Sequence, residues 1–309
     1  MDDRGAKLGQ WRRWSPFLRV ALTILACGLI VRLVDFDALG KVLAGARWWW
    51  ILTALAIYFV SHVSYAVSVG LLLAAMGYRV RLGTILCNHY MGLFFNNFLP
   101  SSVGGDAYKI YDMSFHAVDM PAAATAIVLQ RVLAMLSTTA LVMVFVPLLC
   151  PVRVSITSGI WAAALVLLVA LMVMVVLRIP ARLKRYRGAN GLLSRMVAWW
   201  DVITGGFFRL RRSQTILRVV AMIVVYQFLM VTGPYTLARG LDVPAAWTHF
   251  LYIVPVSILA MALPISVNGI GVREGVYLLL LEQVGVARTD ALALVTLVFG
   301  VALANSLIG

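Results

Sequence analysis

Two stretches decide the fold: FFNNFLPSSVGGDAYKIYDM, Phe94 to Met113, and MALPISVNGIGVREGVYLLL, Met261 to Leu280. With their prolines aligned they share the pattern Leu-Pro-x-Ser-Val-x-Gly. The first copy is Leu99, Pro100, Ser102, Val103 and Gly105; the second is Leu263, Pro264, Ser266, Val267 and Gly269. Acid and base stand close to each, Asp106 and Lys109 in one copy, Arg273 and Glu274 in the other. Both copies interrupt apolar sequence. Proline stops a helix, a serine two residues on is a suitable N-cap for the next, and glycine lets backbone approach a ligand closely.

The surrounding chain is a membrane protein by composition. Of 309 residues 62% are apolar and 12% charged, against about 45–50% and about 25% in a soluble domain. Mean hydropathy is +0.95. The 26 Lys and Arg against 12 Asp and Glu give a net charge of +14. That excess sits mostly in loops, so it reads as a topology signal rather than a nucleic-acid surface. Cys27, Cys87 and Cys150 lie in or beside apolar runs without C-x-x-C spacing, and His62, His89, His116 and His249 show no helical ligand spacing. Neither a disulfide framework nor a metal site is expected, and no cofactor.

Full spans are predicted at about 17–33, 48–75, 121–149, 156–177, 219–238 and 289–308. Residues 1–16, with Arg4, Lys7, Arg12 and Arg13, form a cytoplasmic N-terminal segment. The stretch 178–218 holds ten Lys or Arg and the single acid Asp201, and reads as a cytoplasmic loop. Trp199, Trp200, Phe207 and Phe208 within it suggest a helix on the membrane surface. Trp48 to Trp50 mark an interface, and Pro147 is a candidate kink. The two segments left over, 84–119 and 245–286, contain the breaks.

Counting faces from a cytoplasmic N-terminus, 84–119 enters and leaves on the inner side as a re-entrant hairpin. The segment 245–286 dips from the outer side, or crosses as two short spans. The fold class is therefore all-α: a polytopic membrane helical bundle with two inverted repeats, about 48–149 and 219–308, and two re-entrant or broken-helix hairpins. Residues 17–309 form a single transmembrane domain.

Such breaks are costly, because backbone N–H and C=O groups at membrane depth need protein or a water-filled cavity to satisfy them. Paired Gly/Pro-interrupted segments point to the binding site of inverted-repeat transporters. A helix that starts at such a break offers free N–H groups and a positive dipole end to an anion, and a phosphate at mid-membrane is the expectation. The candidate binding residues are Asn97, Ser102, Gly105, Asp106, Lys109, Arg131, Ser266, Asn268, Gly269, Gly271, Arg273 and Glu274. Arg131 is an arginine inside a long apolar span, with Gln130 beside it. It is either a headgroup ligand or the ion-pair partner of Asp106 or Glu274, and the two roles are compatible. Asp106 and Glu274 also fall in helix first turns, where the dipole stabilises acids. Asn96, Asn97 and Asn268 either line the cavity or cap broken backbone; Tyr108 and Tyr111 read as packing or interface residues.

NNFLPSSVGGDAYK, an arginine in the next span, and then LPISVNGIGVREG together resemble the lysylphosphatidylglycerol synthase transmembrane-region family. The resemblance covers about 15–308. It implies a flippase-like membrane protein that moves lipid near the two breaks, and it points to Asn97, Pro100, Gly105, Asp106, Arg131, Pro264, Gly269, Gly271, Arg273 and Glu274. The family includes the membrane half of bacterial lipid flippases of multiple peptide resistance and a group associated with hopanoid biosynthesis. Gln130 stands where the family often has an acid, and Asp106 where it often has glutamate. No aminoacyl-transferase domain follows the last span, so the lipid-modifying reaction of two-domain relatives is not expected.

The leading function is movement of an anionic or phosphorylated lipid between leaflets of the inner (plasma) membrane. A membrane-embedded lipid-modifying enzyme is one alternative, though no G-x-S-x-G or H-E-x-x-H motif is present. A non-catalytic membrane partner of a lipid synthase is the other. Expected partners are membrane lipids, with a separate synthase or a second copy of the chain as further candidates, and no nucleic acid.

Overall fold

The computed structural model describes residues 44–98, 103–116, 118–149, 214–262 and 271–308. These form eight α-helices and, among the described residues, no strand. In chain order they are α1 (Trp48–Ala75), α2 (Leu82–Phe98), α3 (Val103–Met113), α4 (Met120–Leu149), α5 (Gln214–Gly240), α6 (Trp247–Met261), α7 (Val272–Glu282) and α8 (Arg288–Ser306). Four of them, α1, α4, α5 and α8, are long and apolar enough to cross a membrane. They coincide with four of the six predicted full spans. The spans expected at 17–33 and 156–177 lie outside the described residues, as do the N-terminal segment and most of the basic loop. Helix α5 begins at Gln214, so the last five residues assigned to that loop are already helical.

The two remaining predicted segments are helical pairs. Helices α2 and α3 flank the first break, and α6 and α7 flank the second. At 1.5 Å per residue the 11-residue α3 and α7 are each about 16 Å long. The hydrocarbon core is about 30 Å thick. Neither of these two helices is long enough to cross it on its own.

Helices α1 and α5 form the central seam, packed antiparallel. Arg47, just before α1, donates its backbone N–H to the carbonyl of Gly240 at the end of α5 (3.2 Å), and its guanidinium meets Asp242 at 3.1 Å. Glycine lets the two backbones close in: a Cβ on Gly233 would meet the Tyr58 ring at 2.8 Å, and one on Gly240 would meet Trp50 Cβ at 2.8 Å. Small residues at such contacts supply the close van der Waals packing that holds membrane helices together.

Two apolar clusters lie at opposite ends of this seam. One joins Leu72 and Leu73 of α1 and Val219 of α5 to Ile85 of α2, Met113 of α3 and Ala123 and Ala126 of α4. The other joins Ile51 and Ala54 of α1 and Leu237 of α5 to Phe250 of α6, Leu281 of α7 and Leu294 of α8. The first hairpin therefore starts and ends at one face, and the second starts and ends at the other. Helix α4 begins in the first cluster and reaches the second at Phe145, Val146 and Leu149, so it runs antiparallel to α1. The order span, broken hairpin, span occurs twice in opposite senses. This is the inverted arrangement expected from charge bias and length.

Candidate functional site

At the first break, α2 and α3 lie against each other because glycine stands on both. Gly92 of α2 leaves room for the stem of Lys109, and Gly105 of α3 packs on the Gly92 carbonyl and the Asn96 side chain. The N–H of Gly105 donates to Asn96 Oδ1 at 2.9 Å. It is one of the first-turn donors that α3 itself cannot satisfy, and a residue of the preceding helix fills the need. Further along, Asn88 Nδ2 donates to the Lys109 carbonyl (3.0 Å) and to Asp112 Oδ2 (2.9 Å). The hairpin is stapled at both levels.

This geometry holds a three-charge cluster. Asp106, in the first turn of α3, accepts from Lys109 Nζ at 3.1 Å through Oδ1. Through Oδ2 it pairs with Arg131 Nη1 of α4. The lysine side chain is 5% exposed, the aspartate 16% and the arginine 32%, so the cluster is closed on the lysine side and open on the arginine side. Two cations share one carboxylate, and the trio sums to +1. A buried ion pair of this kind is a weak source of stability, yet removing one member is costly because a bare charge remains.

The second break is built differently. Helix α7 starts at Val272 with Gly271 in the cap position, at φ 85 and ψ −40. Its N–H donates to Glu274 Oε2 at 2.6 Å. The Arg273 guanidinium meets Glu274 Oε1 at 2.7 Å through Nη2 and 3.2 Å through Nε, and it lies 4.8 Å from the centre of the Phe299 ring on α8. This pair sums to zero. Gly271, at positive φ, holds the cap position of α7, and Ser266 lies outside the described residues.

Of the twelve predicted residues, Gly105, Asp106, Lys109 and Arg131 come together at the first break, and Gly271, Arg273 and Glu274 at the second. Asn97 lies in the last turn of α2. Ser102, Ser266, Asn268 and Gly269 lie outside the described residues, as do Pro100 and Pro264; α3 starts at Val103, immediately after Ser102. Arg131 pairs with Asp106, and Glu274 pairs with Arg273.

The sequence did not single out a group beside the first cluster. His62 of α1 and His89 of α2, both buried, share a ring-to-ring hydrogen bond of 3.1 Å. The Tyr65 ring stacks on His89 at 3.8 Å between centroids, and Lys109 Nζ stands 5.1 Å from the centre of the Tyr65 ring. Ligand spacing within one helix could not find this pair, because its members are on different helices. The available signal was weaker: two histidines in apolar sequence, each needing a polar partner.

A family model of the lysylphosphatidylglycerol synthase TM region matches residues 17–309. No curated protein matches the chain.

Proposed function

We propose, on the premise that this chain belongs to the lysylphosphatidylglycerol synthase transmembrane-region family, that it moves an anionic or phosphorylated lipid between bilayer leaflets. Membership and the apolar helices make it a membrane protein linked to lipid metabolism. The single observation that carries the narrower reading is the cluster at the first break, where Lys109 and Arg131 share Asp106. An ionised cluster at membrane depth is retained where it serves a polar path. With a net charge of +1 it attracts a phosphate, and the open side at Arg131 offers the donors. Arginine suits phosphate because its planar fork gives two parallel hydrogen bonds. Arg273 and Glu274 supply a second polar station, on the hairpin anchored at the opposite face.

In this reading Arg131 exchanges part of its contact with Asp106 for the headgroup, and Asp106 keeps the site from holding the anion too tightly to release it. The acyl chains stay in lipid. Membrane lipids are the ligands, the membrane is the inner (plasma) membrane, and the N-terminus is cytoplasmic, as the basic segments suggest.

Reconstitution into liposomes with headgroup-labelled lipids tests this. Wild-type protein is expected to translocate an anionic lipid faster than a zwitterionic one. Arg131→Ala and Glu274→Gln are expected to abolish movement in protein that remains folded. Unchanged rates in both variants would reject the site. No movement of any lipid by wild type would favour a membrane enzyme or a synthase partner instead.

A further inference from the structure

We propose that His62 and His89 form one shared proton site, and that its loading is coupled to headgroup loading at Asp106 and Arg131, so that a proton accompanies each anionic headgroup. The inference deepens the lipid-transport reading and rests on it.

The geometry of the pair is the first support. Two imidazoles joined by one nitrogen-to-nitrogen hydrogen bond hold a single proton between them. With His89 Nε2 donating to His62 Nδ1, the remaining nitrogen of His89, Nδ1, carries a bare lone pair. Among the described residues that buried Nδ1 has no partner, and neither has the buried Tyr90 hydroxyl. Buried polar atoms are nearly always satisfied, and exceptions need a reason. A proton arriving from water on His89 Nδ1 makes the pair cationic, with the bridging hydrogen bond kept.

The surroundings supply the coupling. From α1, Tyr65 stacks on His89, and Tyr58 stands one turn before His62. From α2, Tyr90 packs edge-on against His62. From α3, Lys109 stands over Tyr65 and holds Asp106, while Asp112 is tied to Asn88. From α4 comes Arg131, and from α5 Tyr226, 6.2 Å from Tyr65. Helix α8 also packs on α1 and α2, and carries its titratable groups, Arg288 and Asp290, at its start. Lys109 links the pair, through Tyr65, to the trio it forms with Asp106 and Arg131, whose sum is +1. With the site empty, that sum opposes a proton on the histidines. An anionic phosphate at Arg131 cancels it and favours the proton. By reciprocity the proton then tightens the anion by the same factor. One proton per phosphodiester leaves the loaded site with the charge of the empty one, which removes the electrical cost of moving the anion alone.

The test uses the full chain in phosphatidylcholine nanodiscs, with short-chain phosphatidylglycerol as the anionic probe and a pH indicator in weak buffer. Wild type is expected to take up protons on binding, and to bind about tenfold tighter at pH 6 than at pH 8. His62→Gln and His89→Gln are expected to keep binding at pH 8 and to lose both the uptake and the pH dependence. Binding by wild type without uptake, or uptake that survives in both variants, overturns the inference and leaves the lipid reading standing. No binding of the probe by wild type overturns both. Should either variant fail to fold, imidazole ¹⁵N resonances of wild type decide: the probe is expected to convert one imidazole to imidazolium, and unchanged resonances overturn the proposal.

Discussion

At the scale of the residue, Asp106 and Gly105 carry opposite kinds of constraint. Asp106 is an electrical constraint. Asp106→Asn keeps the shape but turns one accepting oxygen into an NH2 donor, so it accepts from only one of Lys109 and Arg131 and leaves the two cations without a carboxylate. We expect loss of lipid movement, with headgroup binding kept or tightened, because the surplus positive charge rises by one. Equilibrium binding measured beside translocation separates the two effects. Gly105 is a steric constraint. A methyl group there would collide with the Gly92 carbonyl, which is backbone and cannot swing aside. Gly105→Ala should destabilise the protein by roughly 1–3 kcal/mol, read as a lower unfolding temperature in detergent. The sequence already marked both residues, because a charge and paired glycines stand out in apolar surroundings. It could not show that Asn96, rather than free solvent or ligand, accepts the Gly105 N–H, since that bond crosses between two helices.

At the scale of the element, the ends of helices are the informative places. The turn after α1 is tied to the start of α4 by the Tyr78 hydroxyl, which donates to Asp119 Oδ2 at 2.6 Å. That hydrogen bond pushes the Tyr78 phenol above its ordinary value. A raised phenol contributes stability below the unfolded tyrosine value, about pH 10, and loses it as pH rises through the folded one. Wild type should therefore lose this tie only in alkali, whereas Tyr78→Phe should lack it at every pH. Comparing unfolding temperatures of the two proteins from pH 8 to pH 11 checks this, with the gap closing above about pH 10. Gly271, at the start of α7, holds a positive φ. Gly271→Ala is strained by about 1–3 kcal/mol, and should impair transport if the Glu274 cap it supports keeps Arg273 in place. Serine is the better N-cap in general, but where the chain must turn through positive φ, glycine wins and the capping bond comes from the glutamate three residues on.

At the scale of the whole molecule, the spans and breaks were legible because lipid allows so few solutions. A long apolar run must be a helix, and an interrupted one must be buried in protein or open to a cavity. The boundaries of the four described spans fall within a few residues of those expected, the largest gap being at the start of α5. What remained hidden was every contact between distant segments: the Tyr58 and Trp50 notches in α5, the histidine pair, and the choice of Asp106 over Glu274 for Arg131. Periodicity constrains one helix at a time and says nothing about which faces meet. The placement of the hairpins at opposite faces has a direct check. In a background with the natural cysteines replaced, Ser114→Cys after α3 and Gln283→Cys after α7 should react with a membrane-impermeant maleimide from opposite sides.

That opposed placement has a consequence for biogenesis. In a molecule built from two head-to-tail halves, either orientation puts one hairpin mouth at each leaflet. Its packing would be equally content upside down. Orientation must then come from the uneven spread of charge along the sequence, above all the ten Lys and Arg of 178–218 and the basic N-terminal segment. Neutralising those cations should yield a dual-topology population in which the same folded protein inserts both ways. Under the proposed lipid movement, such a population would carry its cargo in both directions at once, so the charge of 178–218 would decide the sense of the work.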